Sequence, residues 1–303
     1  MITSIGGILD AARSADGGRV AVAWPGDADT LSSCADAFHG QIATPLLVGR
    51  ADDILRKADD ARIDITGMEI VPAEDEAGAA QTAVRLVNDG GADLLMKGLL
   101  DTKLVLKAVL AEKAILRPNR VLSHAAVFEV PGYPRLLFVA DAAMIIAPDL
   151  EQKRAILENT VEVARALGVD HPKVAVLCAK EKVDPKMPCT EDAAALASLN
   201  LQGCTVSGPL ALDNAVDPKA AALKGIAGPL AGDADVLIVP SIEAGNILYK
   251  ALAFLAGAKN AGIIVGAAAP IVLTSRADSG PTKLASIALA VVQADRGRPP
   301  AGA

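Results

Sequence analysis

Aromatic residues are scarce in this chain: four Phe, two Tyr and one Trp make up 2% of 303 residues. A core built with so few rings must be aliphatic, with small Ala and Gly side chains letting helices approach strands closely. The same scarcity argues against single-strand nucleic-acid binding, which needs aromatic platforms for base stacking. An excess of positive charge is missing too. The 29 basic and 36 acidic residues give a formal net charge of −7, the wrong balance for a protein that neutralises duplex phosphates. Small anionic guests are not excluded, because one cleft can be locally positive inside an acidic protein.

Histidine and cysteine are few and scattered. His39, His124 and His171 are dispersed, and Cys34, Cys178, Cys189 and Cys204 form no CxxC pair and no zinc spacing with them. No metal site and no permanently bound cofactor are expected, and four free thiols point to a reducing cytoplasm. Long apolar runs are also lacking. The longest, residues 261–273, contains Pro270 and falls short of the ~20 residues a spanning helix requires. No basic region precedes a sustained apolar segment at the N-terminus, so no secretory leader is expected. The patterns GxGxxG, GxxxxGK[ST] and GxSxG do not occur. A dinucleotide site, a P-loop and a serine-hydrolase elbow each lose their best evidence.

What the chain does contain is a rhythm. Hydrophobic residues are 52% and charged ones 21%, enough apolar surface to exclude disorder. Short continuous apolar runs at 20–24, 46–48, 68–71, 94–96, 125–128, 136–140, 174–178, 236–239, 263–265 and 271–273 read as strands covered on both faces. Amphipathic stretches at 27–38, 73–89, 102–112, 150–167, 190–199, 218–225, 244–257 and 281–292 read as helices between them. Strand followed by helix, repeated, predicts an α/β protein with a mainly parallel sheet. Length suggests roughly two domains, although no linker marks a boundary.

Ligands of open α/β sheets bind outside the carboxyl ends of the strands, where helix N-termini also point. Five predicted strand ends lead into polar or charged groups: Lys97 to Thr102, Asp141, Asp213-Asn214, Glu243 to Asn246, and Thr274 to Ser279. The last group is the richest, with hydroxyls, the Arg276 guanidinium and backbone N–H groups at a helix start. An arginine can grip a phosphate with two hydrogen bonds, and a helix N-terminus adds about half a positive charge. Each group also has a plainer reading. Thr274 or Asp278-Ser279 could simply cap the last helix with Arg276 solvated, Lys97 could be an exposed lysine in a turn, and Asp213-Asn214 an Asx turn. Glu243 and Asn246 could serve a helix cap. His124, inside an apolar run, reads as a core histidine.

Six segments together carry a family resemblance: MKGLLDT at 96–102, LSHAAVFEVPGY at 122–133, GPLALDNA at 208–215, AGDADVLIVP at 231–240, EAGNILYK at 243–250 and LTSRADS at 273–279. In order and spacing they resemble the phosphate acetyl/butyryl transferase family over about residues 15–293, closest to its butyryl branch and to the transferase part of enoyl-CoA hydratase fusions. The resemblance implies reversible transfer of a short acyl group between coenzyme A and inorganic phosphate. It implies coenzyme A as substrate, a homodimer, and an architecture like isocitrate and isopropylmalate dehydrogenases with an interdomain active site. Residues 1–146 with 263–303 would form the first domain, and 147–262 the second, dimerising one.

Carried over residue by residue, Ser275 and Arg276 match the family pair at the acyl carbonyl and the CoA sulfur. Lys107 stands where relatives have Arg, keeping the charge but losing the two-pronged grip, and Arg120 is a second candidate anion ligand. Lys97, Thr102, Asp213, Asn214, Glu243, Asn246, Thr274 and Ser279 complete the expected substrate-binding set. The acetyl branch carries an Asp seven residues after its Ser, where this chain has Thr282, so Asp278 is the nearest carboxylate for a catalytic role. A thiol near 8.5 facing an aspartate near 3.9 is mismatched by about 6 kcal/mol. Arg276 would therefore stabilise thiolate and oxyanion while a carboxylate relays the proton. Two rival readings are a metal- and NAD-dependent decarboxylating dehydrogenase of the same fold, and a non-catalytic regulator that binds CoA or acyl phosphate.

Overall fold

The computed structural model describes residues 1–15, 17–112, 120–228, 230–275 and 278–297. In chain order the elements are α1 (Ile5–Ser14), β1 (Gly18–Ala23), α2 (Ala28–His39), β2 (Ala43–Gly49), α3 (Ala51–Asp60), β3 (Glu69–Pro72), α4 (Glu76–Asn88), β4 (Leu94–Lys97) and α5 (Thr102–Ala111). Then come β5 (Ser123–Glu129), β6 (Leu136–Ala140), α6 (Leu150–Ala166), β7 (Lys173–Leu177), α7 (Cys189–Ser198), β8 (Thr205–Leu210), α8 (Leu212–Val216), α9 (Pro218–Leu223), β9 (Val236–Ile238) and α10 (Ile242–Lys250). A π-helical turn (Ala251–Leu255) extends α10, and β10 (Lys259–Val265), β11 (Ile271–Val272) and α11 (Gly280–Gly297) close the chain.

The chain divides into two compact units, Ile5–Arg120 with Ala261–Ala303, and Met1–Ser4 with Val121–Asn260. In the first unit the strand order is β3-β2-β1-β4-β11-β10, parallel throughout except between β10 and β11. In the second the order is β5-β6-β9-β7-β8, parallel except between β5 and β6. The expected mainly parallel α/β class is what the backbone adopts. Expected and observed divisions differ over β5 and β6, which the sequence reading put with the N-terminal residues. They group with β7–β9 because β6 runs parallel beside β9, Phe138 opposite Val236.

Local chemistry explains the elements. Residues of the central strands are buried on both faces, as in Val20–Ala23 and Leu94–Met96, each at most 1% exposed, which is why these runs are continuously apolar. Asp149 starts α6 through a full capping box, accepting from the Gln152 N–H at 2.8 Å while Gln152 Oε1 accepts from the Asp149 N–H at 3.0 Å. Gly168 ends it in the left-handed region, φ +84°, where glycine pays no Cβ penalty. His124 is buried against the Tyr249 ring, centroids 5.9 Å apart. Three helices escape the sequence reading, the five-residue α8 (Leu212–Val216) among them. α3 (ADDILRKADD) buries only Ile54 and Ala58, too thin an apolar stripe to announce itself, and α1 carries two glycines in its first turn.

Candidate active site

β1, β4 and β11 run parallel, with Ala23 beside Lys97 and Met96 beside Val272. Their carboxyl ends therefore open on the same edge of this unit's sheet, where α/β folds take their ligands. Lys97 is the last residue of β4 and is 5% exposed. Its Nζ donates to the Gly98 carbonyl at 3.1 Å and the Leu100 carbonyl at 3.3 Å. The turn that follows is fastened to β1, since the Gly98 N–H donates to Ala23 O and the Leu99 N–H to Trp24 O, both at 2.8 Å. Only glycine fits there: a Cβ at position 98 would lie 2.7 Å from the Ala23 oxygen and nearer still to the Trp24 oxygen.

Beyond β11, Thr274 is buried and Ser275 exposed. The Ser275 N–H donates to Asp278 Oδ2 at 2.7 Å, and the Asp278 N–H donates to the Ser275 carbonyl at 3.1 Å. Ser279 sits at the head of α11, where its Oγ accepts from the Thr282 N–H at 3.4 Å. Lys283, in the first turn of α11, is only 4% exposed, and its Nζ reaches back to donate to the Asp278 carbonyl at 2.5 Å. The start of α2 supplies another wall. Its N-cap Asp27 has both carboxylate oxygens engaged, accepting from the Thr30 N–H at 2.9 Å and the Thr30 hydroxyl at 2.7 Å.

These groups border one cavity of about 110 Å³, lined by Asp27, Asp29 and Thr30 from α2, Lys97 to Leu99 after β4, Thr274 and Ser275 after β11, and Lys283. Two buried ammonium groups, three hydroxyls and the carboxylates of Asp27 and Asp29 thus border a space of small-ligand size. Arg276, the centre of the expected site, lies outside the described residues. Lys107 is not on this cavity. It is exposed on α5 and lines a different groove of about 280 Å³ with Arg85, Leu104 and Glu112. Thr102 opens α5 behind the N-cap Asp101, whose side chain accepts from the Lys103 N–H at 2.8 Å. Arg120 is half-buried just ahead of β5.

The remaining expected residues belong to the other unit. Asn214 is fully buried, and its Nδ2 donates to Glu181 Oε1 at 2.5 Å. Lys224 pairs with Glu181 at 3.0 Å and with Asp213 at 2.9 Å. The hydrogen bond from Lys224 holds the Asp213 carboxyl below the usual carboxylate range, and the same lysine does so for Glu181. Glu243 is exposed in the first turn of α10, its carboxyl lowered by a hydrogen bond from Ser241. Asn246 Nδ2 donates to the Ala142 carbonyl at 3.2 Å, tying α10 to the turn after β6. That turn is shaped by the buried Asp141, which accepts from the N–H groups of Ala143 and Met144 at 2.8 and 2.9 Å.

Sequence reasoning missed Lys283, Asp27, Glu181 and Lys224. A lone lysine in a helical first turn reads as solvated, and its burial is a property of tertiary packing. Asp27 did carry a signal, since it precedes a helical stretch directly after a strand, the ordinary place of an N-cap. Among the described residues no group of three His, Cys, Asp or Glu could hold a metal ion, and no helix is long and apolar enough to cross a membrane.

Parallel strand ends that bring two buried lysines, three hydroxyl side chains and two aspartates to one small cavity form a small-molecule site of the kind α/β folds carry. Comparison with known proteins sharpens this class. Residues 77–291 match the family described as phosphate acetyl/butaryl transferase. The chain is 45% identical to the phosphate butyryltransferase of Clostridium acetobutylicum, covering 97% of this chain and 99% of that one. It is 43% identical to the phosphate acetyltransferase of Rhizobium meliloti, covering 96% and 93%. The crystal structure of a branched-chain phosphotransacylase from Enterococcus faecalis superposes with a TM-score of 0.81 at 36% identity, covering 91% of this chain and 98% of that one. The chain belongs to the phosphate acetyl/butyryl transferase family and is a phosphate acyltransferase.

Proposed function

We propose that this phosphate acyltransferase moves a short acyl group, acetyl, propionyl or butyryl, between coenzyme A and inorganic phosphate by direct attack in a ternary complex, at the cavity beside Lys97, Thr274 and Ser275. The observation that carries the reading is the meeting of the lysine turn after β4 and the serine segment after β11 around one space of about 110 Å³. A doubly charged oxyanion there meets the Lys97 and Lys283 ammonium groups and hydroxyl donors, with Asp27 engaged by Thr30 and Asp29 facing solvent. Charge-assisted hydrogen bonds are strong in such a partly buried setting. In this reading Ser275, which lines the space, donates to the acyl carbonyl as charge develops on it, and Arg276 completes the set through the family resemblance. A preorganised donor of this kind is worth about 100- to 1,000-fold in turnover. Asp278 serves by holding the Ser275 amide.

No covalent acyl-enzyme is needed. Among the described residues no cysteine lines the cavity, and burial pushes the Cys34 thiol up to about 12. Three further parts belong to the proposal. An isocitrate dehydrogenase-like architecture fits the parallel strand order of each unit. A homodimer built through the Val121–Asn260 unit is supported by Ile247, Phe254 and Leu255, which are 63–87% exposed along α10 and its π-helical turn. A cytoplasmic setting agrees with the four free thiols.

The experiment is release of free thiol from acetyl-, propionyl- and butyryl-CoA, each with and without inorganic phosphate. Release that requires phosphate in at least one of the three is the expected result. Phosphate-independent hydrolysis, or no release with any of them, contradicts the reading. One methylene is worth about 1–3 kcal/mol of discrimination, so the three rates order the acyl pocket directly.

A further inference from the structure

Lys283 is a buried cation in a place that disfavours cations. It lies in the first turn of α11, where the helix dipole presents its positive end, and it is 4% exposed. Among the described residues no carboxylate forms an ion pair with it. Its Nζ donates to a single neutral group, the Asp278 carbonyl at 2.5 Å, so an ammonium with three donors has two left for the cavity it borders. A second buried ammonium, Lys97, borders the same cavity. Two carboxylates line the same cavity: Asp27, with both oxygens engaged by Thr30, and Asp29, exposed at the start of α2. Burying the Lys283 ammonium there is costly unless an anion compensates it.

We infer that Lys283 is a ligand of the phosphate dianion, closing with Lys97 on the oxygens of inorganic phosphate or of the phosphoryl group of acyl phosphate. The inference rests on the proposed site but assigns a residue and a substrate half that the family motif segments leave out. Lysine suits the task because a compact, rotatable ammonium can leave the Asp278 carbonyl and follow the transferring phosphoryl group. The stem, buried along the start of α11, keeps the head within the cavity. The phosphates of coenzyme A are the competing source of the same chemistry, so the test separates them.

The test uses the full-length enzyme with Lys283→Gln, Lys283→Met and Lys283→Arg, each checked for native circular dichroism. The expected result is a rise of tenfold or more in the KM for phosphate with Gln and Met, less than a twofold change in the KM for acyl-CoA, and partial recovery with Arg. In the wild-type enzyme, inorganic phosphate should slow acylation of Lys283 by acetic anhydride, read by mass spectrometry, while CoA alone should not. Equal loss for both substrates, or a fall in kcat with the phosphate KM unchanged, makes Lys283 a tether of the Asp278 carbonyl and overturns the inference. Protection by CoA alone overturns it in favour of the CoA phosphates. Phosphate-dependent thiol release in the wild type, alongside either outcome, leaves the proposed function standing. Its absence removes both.

Discussion

Ser275 and Asp278 exchange two hydrogen bonds: the serine N–H donates to the aspartate carboxylate at 2.7 Å, and the aspartate N–H donates to the serine carbonyl at 3.1 Å. The clasp fixes the backbone beside the serine hydroxyl before any substrate arrives. Asp278→Asn keeps an acceptor oxygen for the amide, whereas Asp278→Ala removes it. We expect the alanine variant to lose about tenfold in kcat/KM, consistent with about 1.4 kcal/mol for a charge-assisted bond, and the asparagine variant to stay within a few-fold of wild type. Equal and large losses in both would mean that the carboxylate charge itself is used, as a proton relay requires.

Gly98 offers a steric test of the lysine turn. A methyl group there runs into the Trp24 and Ala23 carbonyl oxygens, which are backbone atoms of β1 and its extension and cannot rotate away. Gly98→Ala should displace Lys97 and cost at least tenfold in kcat/KM, with a lowered melting temperature from the strained contact. A variant with wild-type kinetics and melting would show that the turn has slack.

Acid stability follows from the other unit. Burial pushes the Asp233 carboxyl up, but hydrogen bonds from Lys173 and Arg135 outweigh it and hold the group below the usual carboxylate range. A carboxylate depressed in the folded state adds stability above its unfolded value, about 3.9, and loses it as pH falls through the folded value. The melting temperature should therefore drop below about pH 4, and the gap between wild type and Asp233→Asn should close over that range. A gap that stays constant with pH would contradict the pairing.

Thiol chemistry separates buried from accessible cysteines. Burial, with Asp27 adding to it, pushes Cys34 up to about 12, and burial likewise takes Cys178 to about 12. A disulfide-exchange reagent at pH 8 should leave both unmodified in the native enzyme and reach all four thiols only after unfolding. Fast native modification of Cys34 together with loss of activity would count against a cysteine-free mechanism.

The fold was legible in the sequence because strands buried on both faces must be continuously apolar, as residues 20–24 and 94–96 are. The helix starts near residues 27 and 150 were legible through the amphipathic stretches 27–38 and 150–167. α3 was not, since a helix packed on one narrow edge needs only Ile54 and Ala58. Of the candidate site, the segments around Lys97 and Thr274 stood out through their position after strands, and the parallel pairing of β4 with β11 brings them together. Lys107 carried the right charge on a helix face that points to another groove, a direction that spacing from a motif does not encode. Lys283 looked ordinary because burial of a single lysine depends on how α11 packs, which no local pattern records.

The account depends most on the buried lysine that ends β4. The decisive measurement is the rate of thiol release from butyryl-CoA as phosphate is varied, in wild type and in Lys97→Met, with CoA binding measured in both by calorimetry. Loss of one preorganised cation predicts a fall of about 100-fold or more in kcat/KM for phosphate, with CoA affinity unchanged within twofold. A Lys97→Met enzyme that saturates with phosphate as the wild type does would contradict the account.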